Sequence, residues 1–462
     1  MKMTFNLCSL WLLLTSINSV FAADFTLPPY QKTVFKNGLV VYLLEQHEVT
    51  LIDVSIVVKA GAVSEQTSGL AKLTAEHLLL GTQDMKRPEF EQQLEFIGAD
   101  IRASADLESA YVSVSFAKTD LQQVLPLIGA SVLHPAFDEQ EFAAQKQRAL
   151  AQLKQKTESP RANIRDYFNK LLFRDHPYAH NVDGDLVAVE KMTLAEVKDF
   201  HERWYKPTNA AVVVTGDFES QKMLVLLHEI FDKWQGTTAE MQPLTSPPSP
   251  QESYVLLVNK EDATESTFLI GGLGIARNNQ DFVAVSVVNT ILGGRFTSWL
   301  NDALRVNSGL TYGAGSRFTS MKEAGSFGIS TFTKTSTTIE AIDLALLTYE
   351  RLWQEGLDEA TLASAKAYVN GQFPPQYETS ADLNNLLSDM FIFGFDEKFI
   401  NTFVDEVESV TTERSKSIIN QYFPRKNLQF VVIGQAQAIR QALQKYGKII
   451  EIDITDVAVA IP

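Results

Sequence analysis

The chain predicts an α+β fold built from two related halves. Helix-like and strand-like segments mix without the regular βαβ beat of a doubly wound sheet. A polar run at 237–252, Thr-Thr-Ala-Glu-Met-Gln-Pro-Leu-Thr-Ser-Pro-Pro-Ser-Pro-Gln-Glu, holds four prolines and reads as an extended spacer near the middle of the chain. The third observation is an internal repeat. Trp204-Tyr-Lys-Pro-Thr-Asn209 leads into an apolar strand ending at Gly216, and Tyr422-Phe-Pro-Arg-Lys-Asn427 leads into another ending at Gly434. Asn209 to Asn427 and Gly216 to Gly434 are both offsets of 218 residues, which points to duplication. The expected organisation is a leader at 1–22, a domain at 23–236, the spacer, and a second domain at 253–462.

In chain order, Lys2 and the apolar run Phe5–Leu14, closed by Val20-Phe21-Ala22, read as a signal peptide cleaved after Ala22. Val34-Phe35, the Asn37-Gly38 turn and Leu39–Leu44 read as a hairpin, and Leu51–Val58 as the next strand. Gly69–Leu80 and Phe90–Ile97 have helical spacing, and Ile101–Phe116 alternates as two strands. Leu121–Leu133, Asp138–Lys156, 161–172 and 193–204 read as helices, and Ala210–Thr215 as a buried strand.

Composition narrows the classes of function. With 45% apolar and 21% charged residues the 462-residue chain is globular, and its length calls for more than one core. A net charge of -16 disfavours a nucleic-acid partner. No later apolar run is long enough to span a bilayer. The only cysteine, Cys8, lies in the leader, so the expected mature chain has no disulfide, thiol nucleophile or thiolate metal site. Export to the periplasm or an equivalent compartment follows from the leader.

The stretch Gly69-Leu-Ala-Lys-Leu-Thr-Ala-Glu-His-Leu-Leu-Leu-Gly-Thr82 resembles the zinc-binding helix of the insulinase/pitrilysin family, the inverted-motif zinc peptidases. That family places two His at i and i+4 on one helical face with a catalytic Glu between them, and a third ligand, a Glu, on a later helix. In the same frame Lys72 takes the first His position, Ala75 the Glu, Glu76 the second His, and Gln152, before Glu158-Ser-Pro160, the third ligand. An ammonium, a methyl and an amide cannot replace those groups, so no metal is expected on this chain. Lys72 and Glu76, at i and i+4, are expected to form a weak salt bridge instead. His176 and His180 flank Pro177 and read as loop residues.

The second half keeps what the first has lost. Leu304-Arg305, a short gap and Gly309-Leu-Thr-Tyr312 are similar to the family's substrate motif, preceded by the equally similar Leu292-Gly-Gly-Arg-Phe-Thr-Ser-Trp-Leu300. The resemblance implies that Arg305 and Tyr312 bind the peptide backbone and stabilise the charge developing on the carbonyl oxygen. Taken alone, Arg305 could cap a helix and Tyr312 could be a strand aromatic. The resemblance further implies duplicated mixed-sheet α/β-sandwich domains, as in the mitochondrial processing peptidase subunits. It implies a heterodimer in which a partner subunit carries the zinc and the peptide is the substrate. A non-enzymatic peptide-binding or scaffold protein of the cell envelope is the alternative, and a self-sufficient peptidase with unusual ligands is a third reading.

Overall fold

A computed structural model describes residues 25–238 and 244–456. The expected leader and its cleavage site lie outside the described residues. In the first half the strands are β1 (Gln31–Val34), β2 (Val40–Glu45), β3 (Leu51–Val58), the short pair β4 (Gly81–Thr82) and β5 (Met85–Lys86), β6 (Asp100–Ala105), β7 (Ala110–Ala117) and β8 (Ala210–Gly216). The helices are α1 (Leu70–His77), α2 (Arg87–Ile97), α3 (Leu121–Leu133), α4 (Glu139–Thr157), α5 (Pro160–Phe173), α6 (Leu186–Lys191), α7 (Leu194–Trp204) and α8 (Ser220–Phe231).

The second half continues with β9 (Tyr254–Asn259), β10 (Glu265–Gly274), α9 (Phe282–Asn289), a π-helical turn at Thr290–Gly294, and α10 (Trp299–Asn301) running into a second π-helical stretch, Asp302–Asn307. Then come β11 (Ala314–Ser320), β12 (Gly325–Lys334), α11 (Thr338–Gln354), α12 (Glu359–Gln372), α13 (Ser380–Phe393), α14 (Glu397–Asn401), α15 (Phe403–Glu408), α16 (Thr412–Tyr422), β13 (Gln429–Gly434), α17 (Ala436–Leu443) and β14 (Lys448–Asp453). The described part of the proline-rich run, 244–252, contains no helix or strand.

Each half forms one mixed sheet, ordered β1-β2-β8-β3-β7-β6 and β11-β12-β10-β13-β9-β14. Read from opposite ends, the sheets correspond strand for strand except at one edge. β1 pairs antiparallel with β2 through the Asn37-Gly38 turn, whereas β14 joins β9 in parallel. β8 and β13 are central, and every residue of each is buried, so both read as continuous apolar runs. The glycine closing each strand has a steric cause. A Cβ on Gly216 would lie 2.2 Å from the Leu51 carbonyl oxygen, and one on Gly434 would lie 2.6 Å from Ser266 Oγ.

The halves are braced by reciprocal helix exchange. α5, from the first half, packs on β10 and β13 of the second sheet; α13, from the second half, packs on β3 and β8 of the first. Both helices have 14 residues and follow equivalent positions in the duplicated order. Phe168, Leu171 and Leu172 of α5 share a core with Leu256, Leu269 and Val431. At the other contact the Asn384 amide donates to the carbonyls of Asp53 and Val213, both at 3.1 Å. The opposite face of the first sheet packs on its own helices, with α1 in that core.

Candidate functional site

α1 is seated by its own sequence. Gly69 has φ +87, and a Cβ there would lie 2.8 Å from Gly184 Cα. The buried Glu65 carboxylate accepts from Gly69 N at 3.0 Å and Ala71 N at 2.9 Å, capping donors that the first turn leaves free. Leu70, Ala71, Leu73, Ala75 and His77 are buried. Lys72 and Glu76, one turn apart, instead line a cavity of about 230 Å³ with Gln152, Lys156 and Asp183.

Three of the four positions singled out in the sequence therefore meet at one cavity. The fourth, Ala75, is fully buried and is not part of its wall. Lys72 Nζ lies 2.6 Å from Asp183 Oδ1 and 3.8 Å from Glu76 Oε1, so the expected i,i+4 pair is present but Asp183 is the nearer partner. Lys156 Nζ continues the network, 2.6 Å from both Asp183 Oδ2 and Asp166 Oδ2. Burial pushes the Glu76 carboxyl up, against the pull of Lys72. Burial also acts to raise Asp183, but its bonds to Lys156 and Lys72 outweigh that and leave it below its ordinary value. Burial acts to lower Lys156, and Asp166 and Asp183 overcome it, so the ammonium is held charged.

This donor set does not fit zinc. Two ammonium groups already lie against the carboxylates, and the remaining donor, Gln152, is a neutral amide. His77 is turned elsewhere: Nδ1 bonds Gln145 Oε1 at 2.8 Å, and the ring stacks on Phe137 at 5.6 Å. Burial pushes its pKa down, keeping the ring neutral. Among the described residues no cluster of three or more His, Cys, Asp or Glu side chains is arranged to hold a metal. His176 Nε2 donates to the Thr245 carbonyl, 2.7 Å away, and His180 Nδ1 to the Ala62 carbonyl, also 2.7 Å.

Sequence reasoning missed Asp183, Lys156 and Asp166. Lys156 carried a signal, since it follows Gln152 by one helical turn. Asp183 carried none, because the Asn181–Gly184 turn is distant in sequence from both helices it joins.

Arg305 and Tyr312 occupy different ground. Arg305 sits on the second π-helical stretch with its guanidinium 4.5 Å from the Phe296 ring centroid. Tyr312 is 84% exposed, and its ring stacks on Phe332 at 6.3 Å. Neither side chain forms an ion pair or hydrogen bond among the described residues. Arg305 makes no helix-end salt bridge, and Tyr312 lies before β11 rather than within it. The loop that bears Tyr312 is nevertheless fixed. Thr331 Oγ1 donates to the Gly313 carbonyl at 2.8 Å and lies in hydrogen-bond contact with Thr311 Oγ1 at 2.9 Å, and the Leu310 amide donates to the Leu304 carbonyl at 2.9 Å. Upstream, a Cβ on Gly293 would lie 2.2 Å from Ser316 N, so only glycine lets the first π-turn approach β11.

Comparison with known proteins places these features. Residues 40–185 match the family description "Insulinase (Peptidase family M16)", and residues 191–369 match "Peptidase M16 inactive domain". The zinc protease PqqE of Helicobacter pylori is 24% identical over 421 residues, covering 87% of this chain and 94% of that protein. The "non-peptidase homolog YmxG" of the same organism is 24% identical over 382 residues, covering 81% and 86%. A crystal structure titled as a peptidase M16 inactive domain from Pseudomonas fluorescens superposes with a TM-score of 0.83 at 25% identity, covering 88% of this chain and 98% of that one. A Helicobacter pylori protease structure shares the fold, with a TM-score of 0.79 at 22% identity, covering 88% of this chain and 100% of that one. With the family matches spanning both halves, this chain belongs to the insulinase family, peptidase family M16, as an inactive-type homologue.

Proposed function

We propose that this chain is the zinc-free subunit of an exported M16 heterodimer, supplying Arg305 and Tyr312 to peptide hydrolysis at a partner that carries the zinc. One observation carries the reading: Arg305 on its π-helical stretch and Tyr312 on its fixed loop are left without polar partners, while Lys72, at a position the resemblance assigns to a metal ligand, pairs with Asp183. An exposed tyrosine hydroxyl and a guanidinium are donors suited to a peptide carbonyl and to the charge it develops on attack. The leader at 1–22 supports export to the periplasm.

The test is co-purification with an M16 chain bearing an intact His-x-x-Glu-His helix. Peptide turnover is then compared between wild type and Tyr312→Phe, with melting temperature as a folding control. Tyr312→Phe is expected to lower kcat by about 100-fold at unchanged melting temperature. Unchanged turnover in the mutant complex refutes the role. A relative named as a non-peptidase homologue favours a second reading, a peptide-binding or scaffold protein of the envelope with no hydrolysis. A functional homo-oligomer with no zinc-bearing partner supports that reading instead.

A further inference from the structure

The helix exchange carries first-half cations to the second-half motif. On α5, the Arg161 guanidinium lies 3.5 Å from the centroid of Phe332, the ring on which Tyr312 stacks. One turn further along α5, Arg165 Nη1 donates to Thr319 Oγ1 of β11 at 3.1 Å. Arg317 precedes Thr319 by two residues on that strand and shares its face. Opposite Arg317 on β12 stands Gly328, which has no side chain to cover it.

Arg165 and Arg317 line one cavity of about 470 Å³, together with Asn289, Ser316 and Ser330. Asn289 and Ser316 satisfy each other: Ser316 Oγ donates to Asn289 Oδ1 at 2.6 Å, and Asn289 Nδ2 donates to the Ser316 carbonyl at 3.0 Å. Apart from the Thr319 hydroxyl that Arg165 meets, the two arginines have no such partner among the described residues. Among the described residues neither forms an ion pair, and Asp166, the acid nearest Arg165 along the chain, is bound by Lys156. Desolvation of the guanidinium and then the like charge of Arg317 act against the charge on Arg165, and Asp166, already held by Lys156, offsets them only in part. In a chain of net charge -16, two cations lining one cavity whose wall holds no carboxylate are an arrangement that an anion would relieve.

We propose that this cavity is a carboxylate subsite, taking an acidic side chain or the C-terminal carboxylate of a peptide held beside Tyr312. The inference rests on the peptide-handling reading above and gives it a substrate class. Guanidinium groups suit the task because their planar forks match the two oxygens of a carboxylate.

The test uses the full mature chain and three fluorescein-labelled heptapeptides of one apolar sequence, followed by fluorescence anisotropy. One has a central Glu and an amidated C-terminus, one a central Gln and a free C-terminus, and one a central Gln and an amide. Either carboxylate peptide is expected to bind about tenfold tighter than the doubly neutral one, and the winning arm identifies the source of the carboxylate. Arg165→Gln and Arg317→Gln are each expected to erase that preference while leaving the melting temperature unchanged, since both side chains are exposed. Equal binding of all three peptides, no binding of any, or a preference that survives both substitutions overturns the subsite. Those results leave the role of Arg305 and Tyr312 standing. A charge preference together with undiminished turnover of the Tyr312→Phe complex keeps the subsite and overturns that role.

Discussion

Lys72→Met tests whether the network at the metal-ligand positions has become a structural tie. The side chains of Lys72 and Asp183 are 28% and 34% exposed, and their charged atoms are 2.6 Å apart. Exposed ion pairs contribute below ~1 kcal/mol, and removing one partner of a fully buried pair costs about 3–5 kcal/mol. This pair lies between those limits. Asp183 also keeps Lys156, so the substitution does not strand its charge. The expected loss is about 1–2 kcal/mol at pH 8. Glu76 gives the loss a pH dependence. Burial already lifts its carboxyl above the ordinary 4.5, and Lys72 is the largest influence pulling it back. Without Lys72 the folded state binds a proton more tightly while the unfolded state is unchanged. Between the unfolded value and the raised folded value, the mutant's folded state holds more protons than its unfolded state, so its stability falls as pH rises. The deficit is therefore smallest near pH 4.5 and grows toward neutrality. Urea denaturation of both proteins at pH 5 and pH 8 measures it. A difference below about 0.3 kcal/mol at pH 8, or an equal difference at both values, refutes the tie, because an exposed and independent lysine behaves that way.

Two further substitutions probe how the halves and the helix are held. Asn384→Leu removes the donors to the Asp53 and Val213 carbonyls at the exchanged helix and is expected to destabilise by about 2–3 kcal/mol in urea denaturation. Gly69→Ala sets a methyl against Gly184 Cα at φ +87 and is expected to cost more than about 2 kcal/mol, with faster amide exchange in α1 as the local readout.

Much of this architecture was legible in the sequence because it rests on local physics. The Asn37-Gly38 turn fixes the first hairpin, the helical spacing of apolar residues over Leu121–Leu133 fixes α3, and Asp138 caps α4 through Gln140 and Glu141. The repeat was legible because Gly216 and Gly434 answer the same steric demand at the end of a buried strand. The shortened α1, ending at His77 rather than Leu80, was not, because the turn after it is set by the β4–β5 pair and its contact with Pro135. Nor was the helix exchange. An amphipathic segment at 160–173 shows that one face is buried but not which sheet buries it. The same limit hid Asp183 from the first site and Arg161 and Arg165 from the second, since each acts on residues far away in the chain.

The seating of α1 does not depend on a metal. What seats α1 is the Glu65 cap, the Gly69–Gly184 approach and the buried side chains of Leu70, Leu73 and Ala75. None of these is a metal ligand, and Lys72 and Glu76, the positions the resemblance assigns to ligands, face the cavity and not the core. Substitution there is constrained only by charge, which Lys72, Lys156, Asp183 and Asp166 balance among themselves. The second-half motif stands under a different constraint. Its loop is fixed to β12 through Thr331, and the Phe332 ring that supports Tyr312 is contacted by Arg161 from the exchanged helix. Removing α5 from that contact would uncover the second sheet as well as the motif. The first-half sequence thus remains bound to the second-half site through the packing of α5, whatever becomes of its own metal-ligand positions.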